Sequence, residues 1–225
     1  MDEKLNNFGD LTAADIQFAV AESYKSIRTN LQFLFSSNPG CKIIAISSPQ
    51  AGEGKSTNAI NLAIAFSQLG KKVLLIDADL RRPSLYKKLR IANTDGLSGI
   101  LAGFATVEDN IVTVNNSFDT LPSGAIPPNP SELLSSASFQ RLLASMRLIY
   151  DYIIIDTPPA GIVSDALSIA NETDGLLLVV KEKSTTHADL QKVLDNISLA
   201  GVRILGAILN SSVSESQYST YKSVY

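Results

Sequence analysis

The densest chemistry in the chain lies in ten residues, Ser48-Pro49-Gln50-Ala51-Gly52-Glu53-Gly54-Lys55-Ser56-Thr57. An apolar run precedes them and a helical pattern follows, which is the strand–loop–helix setting a phosphate-binding loop requires. Gly52 and Gly54 let backbone N–H groups approach phosphate oxygens, and the helix N-terminus adds a favourable dipole. Lys55 is placed to reach the β- and γ-phosphates, and the Ser56 hydroxyl to ligate Mg²⁺. Glu53 and Thr57 complete the nucleotide-binding positions. The strict pattern asks for glycine six residues before Lys55, where this chain has Pro49, so the loop is a variant. A plain Gly-rich connector is the alternative, and the Gly-Lys-Ser-Thr run in this setting argues against it.

Two further apolar runs end in aspartate. One reads Leu74-Leu75-Ile76-Asp77-Ala78-Asp79-Leu80-Arg81-Arg82-Pro83, the other Ile153-Ile154-Ile155-Asp156-Thr157-Pro158-Pro159. Mg²⁺ takes oxygen ligands, a carboxylate or two together with water and phosphate oxygens. Ser56, Asp77, Asp79 and Asp156 are therefore the candidate metal ligands. Phosphoryl transfer to a hydroxyl is helped by a base that accepts its proton, a role open to Asp77 or Asp79 beside Lys55. The competing reading of each aspartate is a helix cap or turn residue. Asn210 closes the last apolar run and has the groups to meet an adenine edge, or simply to form a turn.

These residues need a scaffold that brings them together. The apolar runs Ile43–Ser47, Val73–Asp77, Tyr152–Asp156, Leu176–Lys181 and Ile204–Asn210 are continuous rather than alternating, as in parallel strands covered on both faces. Helical patterns separate them at Thr57–Gln68, Ser138–Tyr150, Ser164–Asn171 and Thr186–Leu199. The alternation predicts a P-loop NTPase-like α/β fold, a doubly wound, mostly parallel sheet with helices on both faces. Ligands of such sheets bind beyond the carboxyl ends of the strands, where Asp77, Asp79 and Asp156 fall. A helix from Asp15 carries Ile16, Val20, Ile27, Leu31 and Leu34, and ends before Asn38-Pro39-Gly40. The stretch 94–129 has no clear period and reads as irregular. The expected organisation is a flexible 1–14, one domain over 15–211, and a Tyr-rich tail over 212–225.

Composition narrows the function classes. A net charge of −3 does not suggest a nucleic-acid binder, and 18% charged residues against 45% hydrophobic ones fits a large buried core. One cysteine, Cys41, forms no internal disulfide and no thiolate metal site, so a reducing, cytoplasmic setting is expected. One histidine, His187 at a helix start, reads as a surface residue and offers no Ser-His-Asp arrangement. No apolar run reaches the roughly 18 residues of a membrane span. Arg81, Arg82, Lys87, Lys88 and Arg90 form a basic cluster. It reads as a solvated face, with an acidic partner or an anionic membrane surface as the alternative and Arg81 near the sheet-end carboxylates.

The variant loop, the Asp77-Ala78-Asp79-Leu80-Arg81 strand end, the Asp156-Thr157-Pro158-Pro159 strand end and the segment Ser123-Gly124-Ala125-Ile126-Pro127-Pro128-Asn129-Pro130-Ser131-Glu132-Leu133-Leu134 resemble the bacterial tyrosine kinases (BY-kinases) of capsule and exopolysaccharide synthesis. The resemblance runs from about residue 16 to the end. It implies an ATP- and Mg²⁺-dependent kinase that phosphorylates its own C-terminal tyrosines, with Lys55 on phosphates, Ser56 on the metal, and Asp77, Asp79 and Asp156 serving the metal and the attacking hydroxyl. It implies a separate transmembrane activator of the polysaccharide co-polymerase type, through which a cytoplasmic kinase is recruited to the inner face of the membrane. It also implies a homo-oligomeric ring in which tails enter neighbouring sites. The family's interface motif Glu-x-x-Arg-x-x-Arg here reads Glu22-x-x-Lys25-x-x-Arg28, so a bidentate arginine is lost at one position.

Three of seven tyrosines, Tyr218, Tyr221 and Tyr225, lie in the last eight residues among Ser, Thr and Lys. They are the candidate phosphoacceptors, and a polar tail with incidental tyrosines is the other reading. Two competing functions share the motifs. A partition- or division-type nucleotide-switch ATPase would carry a lysine near the loop start, where this chain has Gln50. A nucleotide-gated assembly scaffold would use the same binding residues without transfer.

Overall fold

The computed structural model describes residues 13–211, with the side chains of 13–16 left aside. The tail tyrosines Tyr218, Tyr221 and Tyr225 and most of the segment 1–14 lie outside the described residues. Seven strands form one sheet: β1 (Lys42–Ser47), β2 (Val73–Asp77), β3 (Val112–Val114), β4 (Phe118–Leu121), β5 (Tyr152–Asp156), β6 (Gly175–Lys181) and β7 (Ile204–Asn210). Their spatial order is β3-β4-β2-β5-β1-β6-β7, and all pairings are parallel except β3 with β4. The eight helices of the described residues are α1 (Ala13–Leu34), α2 (Lys55–Ser67), α3 (Leu85–Leu89), α4 (Gly96–Ala102), α5 (Pro130–Leu134), α6 (Ala137–Met146), α7 (Asp165–Asn171) and α8 (His187–Leu199).

Alternation along the buried strands divides the helices between two faces. Ile44, Ile46, Leu75 and Ile154 point to one face, where Leu31 of α1, Leu62 and Phe66 of α2 and Leu85 of α3 pack. Ile43, Ile76, Ile153 and Ile155 point to the other, beneath Leu97 of α4, Leu134 of α5 and Phe139 and Leu143 of α6. Ala45, Leu176 and Leu178 complete that second face against α7 and α8 through Ala166, Val193 and Ile197. This is the doubly wound sheet expected from the alternation of apolar runs and helical patterns.

Three features depart from the expectation. The stretch 94–129 is not irregular throughout: it holds α4, β3 and β4, with β4 in parallel register beside β2 (Leu75 opposite Thr120). These elements are too short to show a period: β3 and β4 are held by strand pairing and by buried Val114, Phe118 and Leu121, while Asn110, accepting from Thr94 and Gly96, holds the start of α4. β7 is an edge strand with Ile204 and Leu209 exposed, so its apolar run is not covered on both faces. The helical pattern over 138–150 stops as a helix at Met146 and continues as turns to Tyr150, while α3 and α5 are single turns with no counterpart in the sequence reading. No helix of the described residues is long and apolar enough to cross a membrane.

Phe66 is fully buried and stacks on Tyr152 with ring centroids 3.8 Å apart, locking α2 and its preceding loop onto β5. Phe66→Ala is expected to cost about 3–5 kcal/mol of stability, from lost burial and the cavity left behind, measured by urea denaturation.

Candidate active site

The carboxyl ends of β2, β5 and β1 lie side by side, and Asp77 stands directly opposite Asp156 in the parallel register. The sheet thus brings the phosphate loop after β1 and both sheet-end aspartates to one edge. The loop takes its left-handed turns at Gly52 (φ 80°) and Gly54 (φ 97°), which leaves the Pro49 position free of the glycine requirement. Pro49 instead packs by its carbonyl against Gly161, where a side chain would collide with it. Ser47 adds a second tie, donating to the Pro158 carbonyl at 2.8 Å and accepting from Ala160 N–H at 3.0 Å. The Asp156-Thr157-Pro158-Pro159 segment therefore braces the start of the loop.

Glu53 holds the loop from inside. It is 1% exposed, and its carboxylate accepts from the Gln50 N–H at 2.8 Å and from the Thr185 hydroxyl. Its side chain is structural here, while its backbone lies in the phosphate cradle. Asn210, a candidate for adenine, donates one N–H of its amide to the Glu53 carbonyl at 2.8 Å, which braces the loop from β7 and leaves its second N–H and its oxygen for other partners. Sequence reasoning missed Asn58, which donates to the Gly54 carbonyl at 2.9 Å and accepts from the Tyr24 hydroxyl at 2.9 Å. It sits one helical turn after Gly54, a spacing that points to such a bond.

The aspartates divide their work. Asp79 faces the Lys55 ammonium at 3.5 Å, with both side chains nearly buried, and also accepts from the Arg82 N–H. Asp77 accepts from the backbone N–H groups of Ser84 and Leu85 at 3.2 and 3.0 Å, holding the start of α3. The turn-capping reading of Asp77 is thus realised together with its place at the sheet end. Asp156 is fully buried, and neither of its carboxylate oxygens has a hydrogen-bond partner among the described residues. Ser56 lies in the first turn of α2 and accepts from the Ser84 hydroxyl at 2.9 Å. Among the described residues no group of three or more His, Cys, Asp or Glu closes into a metal cage. A hydroxyl, one unpartnered buried carboxylate and neighbouring carboxylates fit Mg²⁺, which keeps water and phosphate oxygens among its ligands.

Arg81 lies within charge range of the sheet-end Asp79 but makes its hydrogen bonds elsewhere. Its guanidinium donates to both oxygens of Asp165 at 2.7 and 3.2 Å and to Ser131 at 2.9 Å. Burial raises Asp165, and the hydrogen bonds from Arg81 and Ser131 outweigh that and hold its carboxyl below the usual range. Arg81, Ser131 and Asp165 tie together the loops after β2 and β5 and the Pro-Pro-Asn-Pro segment. On α1, Lys25 pairs with Glu22 at 2.5 Å within the chain, and Arg28 donates to the Ala65 carbonyl at 2.7 Å. His187 is exposed at the first turn of α8, as its sequence setting suggested.

Burial first, and the facing Asp156 second, push the Asp77 carboxyl up to about 8, against the N–H groups of Leu85 and Ser84. Burial pushes Asp156 up to about 6, opposed first by the Lys55 charge and then by the nearby Ser56 hydroxyl. Both carboxyls bind protons more tightly folded than unfolded, where aspartate titrates near about 3.9. Proton uptake then favours the folded chain at low pH, and stability falls as pH rises from about 4 to about 8. With divalent cations chelated, Tm is expected to drop between about pH 5 and pH 8, and Asp156→Asn to flatten the slope. Mg–ATP should raise Tm more at the upper end of that range. A chelated wild-type chain whose Tm does not fall across it would contradict the argument.

The AAA domain family profile matches residues 41–205. Tyrosine-protein kinase YwqD of Bacillus subtilis (strain 168) is 41% identical over 204 residues, which cover 89% of this chain and 86% of that protein. The kinase domain of Escherichia coli tyrosine kinase ETK superposes with a TM-score of 0.81 at 34% identity, covering 86% of this chain and 78% of that one. The septum site-determining protein MinD of Pyrococcus horikoshii OT3, solved with Mg-ADP, aligns at TM-score 0.64 and 31% identity over 78% of this chain and 72% of its own. With a matching profile over most of its length and a kinase relative that it covers almost end to end, the chain belongs to the bacterial tyrosine-protein kinase family built on an AAA domain.

Proposed function

We propose that the chain is an ATP- and Mg²⁺-dependent protein-tyrosine autokinase whose acceptors are Tyr218, Tyr221 and Tyr225. The observation that carries this reading is the buried, unpartnered carboxylate of Asp156 next to the Lys55–Asp79 pair, at the mouth of a phosphate loop. Mg²⁺ bound there with ATP would neutralise charge on the phosphates. Lys55 and the N–H groups of residues 52–57 hold the phosphate tail. The tyrosine oxygen attacks the γ-phosphorus, its bond to the β-bridging oxygen breaks, ADP leaves, and the phenolic proton passes to a carboxylate. Asp77 or Asp79 accepts that proton, each carboxylate being held in place by backbone N–H groups.

The family membership supports a place in capsular or exopolysaccharide synthesis and export. There the kinase works as a homo-oligomeric ring, tail to neighbouring site, and meets the membrane only through a transmembrane co-polymerase-type activator. Glu22, Lys25 and Arg28 on α1 form the ring contact, and the Lys25–Glu22 pair opens to make it. Each phosphate adds about −1.5 to −2 charges at neutral pH, so phosphorylated tails repel and loosen the ring.

Recombinant chain incubated with Mg–ATP should gain phosphotyrosine within 218–225 by intact-mass and peptide mass spectrometry. Lys55→Met should abolish the gain. The triple change of Tyr218, Tyr221 and Tyr225 to Phe should leave ATP binding intact and end incorporation, and undiminished labelling in that variant would refute the tail assignment. A silent wild-type chain that stays silent with an activator's cytoplasmic segment, while still binding ATP, would refute the kinase reading.

A further inference from the structure

α3 is one turn long, yet it reaches both hydroxyl residues that follow Lys55. Ser84, just before α3, donates to Ser56, and Lys88, four residues later, donates from its ammonium to Thr57 Oγ1 at 3.2 Å. Ser84 and Lys88 stand at the two ends of this turn, so α3 touches both hydroxyls at the start of α2, the buried Ser56 and the exposed Thr57. Lys88 makes no ion pair with a carboxylate among the described residues, although its charge also bears on the buried Asp156. It is exposed, as is Thr57, and it is brought to that hydroxyl by an element that Asp77 anchors.

An ammonium only donates, so the Thr57 oxygen is the acceptor and its own proton is left to be given elsewhere. Thr57 lies at the N-terminal end of α2, where anions are favoured. We propose that Lys88 is a positioning residue for ATP: it holds and polarises the Thr57 hydroxyl so that Thr57 donates to a nucleotide phosphate, and it adds a positive charge beside that phosphate. This takes Lys88 out of the general basic cluster and gives it a task distinct from those of Lys87 and Arg90. The inference rests on the proposed binding of ATP at this loop, but not on transfer to tyrosine.

The test is calorimetric titration of Mg–ATP into the full chain and its variants. Lys88→Met is expected to raise Kd about threefold, the scale of one charge-assisted contact at an exposed site. Lys88→Arg should recover most of the loss. Thr57→Val should weaken binding, and Lys88→Met on top of Thr57→Val should cost less than it does alone, since one residue acts through the other. The difference between wild type and Lys88→Met should shrink between about 0.05 M and about 0.5 M salt, which a purely structural role would not produce. Lys88 is exposed, and coincident melting of the ligand-free variants checks that the fold is kept. Wild-type affinity in Lys88→Met, an arginine variant as weak as the methionine one, or fully additive losses would overturn the proposal. A wild-type chain that binds Mg–ATP but labels no tyrosine overturns the proposed function alone, and one that binds no Mg–ATP overturns both.

Discussion

Two carboxyl groups are buried side by side at the ends of neighbouring parallel strands, Asp77 opposite Asp156, and the arrangement around them follows from that difficulty. Like charges in a low-dielectric site repel, and each loses its water. The chain answers one of them with backbone N–H groups and leaves the other without a partner. Lys55 opposes the cluster with its positive charge while paired with Asp79. A site built in this way carries more carboxylate than cation.

The loops around that cluster are held from several strands at once. Asn210 and Thr185 secure Glu53 from the β6–β7 side, Ser47 and Gly161 join the loop start to the segment after β5, and Asn58 closes the turn at Gly54. The Arg81–Asp165–Ser131 group does the same for the outer rim. Electrostatic preorganisation needs groups that do not reorient when charge develops, and each of these side chains is hydrogen-bonded to its protein neighbours.

The sequence disclosed what has period or motif. Long apolar runs marked β1, β2, β5 and β6 within a residue or so, because strands buried on both faces exclude polar positions, and marked β7 although it is an exposed edge. Gly52, Gly54, Lys55 and Ser56 were legible because phosphate cradles demand small residues and a cation at fixed spacing. The 94–129 region was not, since α4, β3 and β4 are defined by strand pairing and by contacts such as those of Asn93 and Asn110 with residues far along the chain. Nor could spacing reveal that Arg81 turns to Asp165, 84 residues away, or that Asn210 serves Glu53 across 157. Residue type announced the chemistry, and only the fold determined the partner.

α3 carries a last consequence. Five residues are too few to sustain a helix through their own hydrogen bonds. It persists through Leu85 in the core and through the Asp77 carboxylate at its start. Elements held by so few contacts open locally at a small fraction of the free energy needed to unfold a sheet. α3 is therefore the part of this edge whose opening would leave the seven strands below in register.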